Sequence, residues 1–138
     1  MNKLSFLRRL KELKIKYVLL SDNNYRNLKK KHKDLDLYIN KYQKLKFEKF
    51  IKKIGYRKRI EKPKNSFNRD FYINVKSNDN FLLDIKYELS FFLNFFKKIK
   101  YQDNDNLFRN QNLNKNIFFT SEKEFKYLRK LKYLENTK

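Results

Sequence analysis

The chain contains a single glycine, Gly55, and its position restricts the folds and binding motifs open to the sequence. It directly follows residues 41–54, which carry the clearest helical pattern of the chain. A glycine in that place fits the left-handed residue that commonly ends a helix. Because no other glycine remains, the sequence excludes a P-loop and the Rossmann dinucleotide-binding fingerprint, which both need several.

Residues 34–39 carry a strict alternation of apolar and polar side chains, which predicts a half-buried strand. The leucines and the isoleucine would face the core. Asp34, Asp36 and Tyr38 would share the open face. The sequence therefore predicts a strand that presents two carboxylates on one side.

The remaining patterns predict helices and strands in mixed order. Helices are expected over residues 2–14, 41–54 and 89–99, with a last helix opening at the capping box that begins with Ser121. Strands are expected over residues 17–20, 56–60, 71–75 and 81–88, and the last two should pair antiparallel. The predicted apolar stripe of the second helix contains Tyr42, Leu45, Phe47, Phe50, Ile51 and Ile54.

This order predicts an α+β fold, with a small mixed or antiparallel sheet of about four strands flanked by helices. The length of 138 residues fits one domain over residues 1–138. Residues 103–138 would form a C-terminal extension made of a loop and a helix.

Composition excludes several classes of site. The chain has no cysteine, so thiolate metal sites, a cysteine nucleophile and disulfides are excluded. His32 is the only histidine, which leaves no convincing Ser-His-Asp arrangement. No stretch approaches the roughly 20 apolar residues that span a bilayer. We therefore expect a cytoplasmic protein without a membrane span.

The formal net charge of +21 suggests a nucleic-acid partner, although the composition offers another explanation. Lysine outnumbers arginine 28 to 8, and asparagine is abundant. AT-rich codons would produce this bias without selection for a polyanion. Arginine, the better bidentate ligand for phosphates and bases, is not enriched. The charge therefore favours a nucleotide or nucleic-acid partner only weakly.

Asp34 and Asp36 are the strongest candidates for chemistry. Two carboxylates two residues apart on a strand lie about 7 Å apart on the same face. They could hold one or two Mg²⁺ ions, which prefer hard oxygen ligands. Asp84 lies in an apolar context and could complete the site if its strand is adjacent. Alternatively, the Asp-x-Asp spacing arises by chance, and Asp84 pairs with Lys86 or with another of the many lysines.

The order of these elements resembles the minimal nucleotidyltransferase fold of the polymerase-β superfamily. The segments that carry the likeness are Lys16-Tyr17-Val18-Leu19-Leu20, Asp34-Leu35-Asp36-Leu37-Tyr38-Ile39, Leu83-Asp84-Ile85-Lys86-Tyr87-Glu88-Leu89 and Phe119-Thr120-Ser121-Glu122-Lys123-Glu124-Phe125. Within that superfamily, the chain is similar to nucleotidyltransferases associated with surface-polysaccharide gene clusters.

The resemblance implies a role for each matching residue. Asp34, Asp36 and Asp84 would be the metal ligands, and Asp84 could also act as the catalytic base. Ser21 would stand where the family's Gly-Ser turn holds the triphosphate, although leucine precedes it here. In place of that turn, Lys33 or another cation of the same basic segment would contact the phosphates, namely Arg26, Lys29, Lys30 or Lys31. Alternatively, the lysine run is only a solvated loop.

The implied function is Mg²⁺-dependent transfer of a nucleoside monophosphate from an NTP to a hydroxyl acceptor. One alternative is a catalytically degenerate binding protein whose basic surface docks nucleic acid or an acidic protein. Another is an amphipathic protein that associates with anionic lipid through a phenylalanine cluster and neighbouring lysines. That cluster contains Phe91, Phe92, Phe95 and Phe96.

Overall fold

The computed structural model describes residues 1–20, 28, 34–59, 69–76, 81–88, 90–94, 97–100, 112–114 and 117–136. Within these residues the helices are α1 (Lys3–Glu12), α2 (Lys44–Lys53) and α3 (Glu122–Asn136), and a 3₁₀ turn, Lys41–Gln43, precedes α2. The strands are β1 (Tyr17–Leu19), β2 (Leu35–Ile39), β3 (Tyr56–Lys58), β4 (Arg69–Asn74), β5 (Leu83–Lys86), β6 (Ser90–Asn94), β7 (Lys97–Lys100), β8 (Asn112–Asn114) and β9 (Ile117–Phe119).

Seven of these strands form one mixed sheet in the order β3-β4-β5-β2-β1-β9-β8. β2 pairs with β5 in parallel and with β1 antiparallel, and β4 pairs antiparallel with β5 as predicted. The α+β class is confirmed, but the expected count of about four strands is too low. The predicted strands supply β1 to β5, and the described part of the C-terminal third adds β8 and β9.

The main core lies between one face of this sheet and helices α1 and α2. Phe6 of α1 packs against Phe47 and Phe50 of α2, with ring centroids 6.5 and 5.6 Å apart. Both Phe6 and Phe47 are fully buried. Burial of an aromatic side chain contributes roughly 1.5–3 kcal/mol, so these contacts hold the two helices on the sheet.

Helix α2 ends before Gly55 as predicted, and Gly55 has a φ of +103°, a backbone conformation that residues with a side chain rarely adopt. The predicted stripe is correct for Phe47, Phe50 and Ile51, which are buried. It is wrong for Tyr42 and Leu45, which are 85% and 84% exposed. Tyr42 belongs to the preceding 3₁₀ turn, where the 3.6-residue period does not apply.

The predicted helix over residues 89–99 is wrong, because the described part of this segment forms the antiparallel pair β6–β7. Ser90 lies opposite Lys100, and the register shifts between Phe92 and Asn94. Short apolar runs can satisfy helical spacing and still form strands, since pairing and packing decide between the two.

The C-terminal helix begins as predicted. Ser121 accepts a hydrogen bond through its Oγ from the backbone N–H of Glu124, at 3.3 Å. This satisfies one of the free N–H groups at the helix start. None of the helices in the described part of the chain combines the length and apolar character that a membrane crossing requires.

Candidate functional site

The register of β2 and β5 places Asp36 directly opposite Asp84. The strands are parallel neighbours, and such neighbours lie about 4.8 Å apart. Leu35 and Leu37 on one strand, and Leu83 on the other, are buried against the main core. Because side chains alternate along a strand, both aspartates project from the opposite face. The strand of Asp84 therefore lies beside the strand of Asp36, as the three-carboxylate hypothesis requires.

Arg69 of β4 contacts both carboxylate oxygens of Asp84. Its Nε lies 2.9 Å from Oδ1, and its Nη2 lies 2.7 Å from Oδ2. The antiparallel register puts Phe71 opposite Asp84, and Arg69 stands two residues before Phe71 on the same face. The guanidinium carbon lies 5.1 Å from the centre of the Phe71 ring. Two parallel hydrogen bonds and a ring contact fix the orientation of Asp84.

Lys86 lies between the two carboxylates. Its Nζ is 2.7 Å from Oδ1 of Asp36 and 3.6 Å from Oδ2 of Asp84. Lys86 follows Asp84 by two positions on β5, so the two side chains share a face. The ammonium group thus bridges two neighbouring strands.

The four side chains form a largely buried, charge-balanced cluster, which we call the Asp36–Asp84 cluster. Side-chain exposure is 14% for Asp36, 11% for Asp84, 20% for Lys86 and 25% for Arg69. Two carboxylates and two cations give a formal sum of zero. Burying charges is unfavourable unless they are paired, so these contacts offset the cost of burying the two aspartates and hold their side chains in place.

Asp34 precedes β2 and is exposed. No group of three acidic or histidine side chains placed to hold a metal ion occurs within the described ranges. The three-ligand set therefore stays a prediction. Ser21 and Lys33, the predicted nucleotide contacts, lie outside the described residues, as does His32.

Sequence reasoning missed Arg69, although a signal for it existed. The antiparallel pairing of residues 71–75 with residues 81–88 was predicted. Extending that pairing backwards by two residues brings Arg69 to Lys86 and onto the face of Asp84. From the sequence, Lys86 is a candidate partner of Asp84, since both lie on the same face of one predicted strand. Its shorter contact is with Asp36, and only the register of two distant segments reveals it.

The donor set of the Asp36–Asp84 cluster fits a divalent cation. Carboxylate oxygens are the ligands that Mg²⁺ prefers. Here two of them converge from adjacent strands on one cationic group, the ammonium of Lys86.

A second buried aspartate, Asp70, lies on the core-facing side of the sheet. Its Oδ2 is 3.3 Å from Nζ of Lys58 and 3.7 Å from Nζ of Lys44. The hydroxyls of Tyr72 and Tyr87 are hydrogen bonded nearby at 2.9 Å. Burial raises the pKa of both tyrosines well above its usual range. Lys44 also lies 4.0 Å from Oε1 of Glu48, so Asp70 is a buried, lysine-paired carboxylate on the other face of the sheet and serves as a comparison.

No family model matches the sequence, and the comparison with curated proteins gives no match. Among solved structures, the chain is similar to that of the lincosamide antibiotic adenylyltransferase LnuA bound to lincomycin. The TM-score is 0.56 and the identity 16%, over 90% of this chain and 81% of that one. At this identity the likeness shows the fold, which is nucleotidyltransferase-like. The similarity to proteins of surface-polysaccharide gene clusters stays a prediction.

Proposed function

We propose that this protein is a metal-dependent nucleotidyltransferase that transfers a nucleoside monophosphate from an NTP to a hydroxyl acceptor. The observation that carries the proposal is the register pairing of Asp36 with Asp84 on one face of a nucleotidyltransferase-like sheet. The neighbour's name adds that such a fold can support adenylyl transfer. We assign no acceptor, since the neighbour shares only 16% of its sequence.

In the proposed reaction, the acceptor oxygen attacks the α-phosphorus of the NTP and the bond to the β-phosphate oxygen breaks. Pyrophosphate leaves, and the hydroxyl proton passes to a carboxylate. Asp36 and Asp84 would hold Mg²⁺, with the exposed Asp34 as a third ligand. When bound, Mg²⁺ stabilises negative charge on the phosphate oxygens and the leaving group.

The residues of the chain would supply orientation and proton transfer. Asp84, whose side chain is held by two hydrogen bonds from Arg69, would accept the acceptor's proton. Arg69 would act as a positioning residue through Asp84. Ser21 and Lys33 are proposed contacts of the triphosphate, and the cytoplasm, where NTPs are abundant, is the proposed location.

Titration calorimetry of Mg²⁺ with each NTP tests the proposal. Wild type should bind at least one NTP in a Mg²⁺-dependent manner. Asp36→Asn should weaken binding by at least about tenfold, because one ligand charge is lost. Asp70→Asn is the matched control, since it also removes a buried, lysine-paired carboxylate but from the other face. Metal-dependent binding that survives intact in Asp36→Asn would refute the assignment.

A second candidate function is a non-catalytic basic protein that docks nucleic acid or another polyanion. The specific observation in its favour is that Lys86 and Arg69 already neutralise both aspartates of the cluster. The net charge of +21 would supply the attraction. This candidate predicts polynucleotide binding that weakens steeply with salt and is unchanged by Asp36→Asn. Absence of binding at low salt would remove it.

A further inference from the structure

We infer that Lys86 is a tethered counter-ion which occupies the metal position of the Asp36–Asp84 cluster and must be displaced when a divalent cation binds. The inference rests on the proposed function and deepens it. It assigns to this one lysine the control of metal affinity. Its basis is the position of a single ammonium group between two carboxylates on neighbouring strands.

The distances distinguish Lys86 from an ordinary ion-pair partner. Its Nζ lies 2.7 Å from one aspartate and 3.6 Å from the other, so one positive charge serves two carboxylates. A divalent cation shared by Asp36 and Asp84 would need the same space. The metal ion and the Lys86 ammonium group therefore cannot occupy this space together, because their volumes would overlap and their like charges would repel.

Arg69 differs from Lys86 in a way that makes only the lysine exchangeable. The guanidinium makes two parallel hydrogen bonds to Asp84 and contacts a ring. Lys86 is held through a compact charge at the end of a flexible four-carbon stem. Its side chain is 20% exposed, so the stem has a route towards solvent. Arg69 can thus keep Asp84 in place while Lys86 leaves.

Charge balance gives the direction of the effect. With Lys86 and Arg69 in place the cluster is neutral, and an added divalent cation would raise its formal charge to +2. Moving Lys86 away lowers that sum to +1. Removing the lysine charge permanently should therefore raise metal affinity, whereas loss of a merely structural contact would leave it unchanged or lower it.

The test uses Mn²⁺ alone as the probe, titrated into the full chain and followed by electron paramagnetic resonance. Lys86→Met should bind Mn²⁺ at least about tenfold more tightly than wild type. Lys58→Met is the matched control, because it removes a lysine from buried Asp70 on the other face. It should bind Mn²⁺ as wild type does. Lys86→Arg, which keeps the charge, should bind no more tightly than wild type.

Thermal unfolding provides a second readout. Without metal, Lys86→Met should melt at a lower temperature than wild type, since buried Asp36 then loses its 2.7 Å contact with the Lys86 ammonium group and Asp84 loses the 3.6 Å contact. Saturating Mn²⁺ should raise its midpoint by more than it raises the wild-type midpoint. If Lys86→Met does not fold without metal, the comparison of wild type with Lys86→Arg still tests the inference, because tighter binding by the arginine variant would overturn it.

The outcomes separate this inference from the proposed function. Equal Mn²⁺ affinity in wild type and Lys86→Met would overturn the role of Lys86 and leave the metal site standing. If no variant binds Mn²⁺, with or without an NTP, both the metal site and the inference fail. Tighter binding in Lys86→Met alone supports both.

Discussion

Arg69 and Asp84 show how strongly single residues are constrained inside the candidate site. Their two hydrogen bonds are short, and the two side chains are 25% and 11% exposed. We expect Arg69→Met to lower the free energy of unfolding by about 2 kcal/mol, because buried Asp84 then loses two charge-assisted hydrogen bonds. The figure lies below that for a fully buried pair, since Arg69 is partly solvated. Urea denaturation measures it.

The matched control is the exposed pair Arg9–Glu12, whose side chains are 52% and 63% exposed. Arg9→Met should change the free energy of unfolding by less than about 0.5 kcal/mol, because solvent screens such pairs. Equal losses of unfolding free energy in the two variants would show that the contact of Arg69 with Asp84 stabilises the fold no more than an exposed ion pair does.

Gly55 is constrained by backbone geometry. At its φ of +103°, an added Cβ would lie 2.9 Å from both Oδ1 of Asn74 and Cγ of Lys76. Its carbonyl also accepts a hydrogen bond from Val75 N–H at 2.9 Å. We expect Gly55→Ala to destabilise the protein by about 1–3 kcal/mol. Thermal and urea unfolding check it.

Lys14 supplies the comparison for Gly55. It is the non-glycine residue with positive φ among the described residues, at 58°. Lys14→Gly relieves a modest strain but adds freedom to the unfolded chain, so the two effects should nearly cancel. A change above about 1 kcal/mol in Lys14→Gly, or none in Gly55→Ala, would contradict this account of the two turns.

At the scale of elements, helix α2 is held by a narrower apolar stripe than its sequence indicates. Phe47 is fully buried, while Leu45 is 84% exposed. We expect Phe47→Ala to cost about 3–5 kcal/mol in unfolding free energy, because it leaves a cavity between α1, α2 and the sheet. Leu45→Ala should cost less than about 0.5 kcal/mol. Similar losses, measured in urea, would mean that the helix packs differently.

The predictable elements are those whose local pattern and tertiary environment agree. The pattern of residues 34–39 predicts the position of β2, and the hairpin pattern ending at residue 88 matches the β4–β5 pairing. The expected open face is wrong for Tyr38, which is only 2% exposed. Asp36 and Asp84 could be proposed as neighbours because both lie on such strands. Their one-to-one register could not be derived, since it depends on the parallel pairing of two distant segments.

The elements that sequence reasoning missed depend on partners far along the chain. β9 contains three residues and is specified by its parallel pairing with β1, about 100 positions earlier. The side-chain hydroxyl of Thr120 reinforces that junction through a hydrogen bond to the carbonyl of Leu19. β6 and β7 pair with each other in register, which periodicity alone does not detect. Local pattern therefore predicts the candidate site better than it predicts the C-terminal third.

For the molecule as a whole, buried tyrosines link stability to alkaline pH. Burial raises the pKa of Tyr17 from 10.0 to about 12, partly offset by a hydrogen bond from the backbone N–H of Phe118. Burial also raises the pKa of Tyr56, Tyr72 and Tyr87. In each case the folded state holds its proton at a pH where the unfolded chain has released it. The contribution of each buried phenol to folding stability is therefore fully present below about pH 10, the unfolded pKa, and is lost as the pH rises towards the folded pKa.

The net charge of +21 acts in the opposite direction over the same range, because lysines lose their charge and mutual repulsion declines. A variant comparison separates the two effects. Tyr17→Phe removes one buried phenol, so its loss of unfolding free energy between about pH 9 and pH 11 should be about 1 kcal/mol smaller than that of wild type. Tyr42→Phe, at a position 85% exposed, should follow wild type throughout. Urea denaturation at each pH gives the slopes, and parallel slopes for Tyr17→Phe and wild type would show that Tyr17 does not contribute to the alkaline loss.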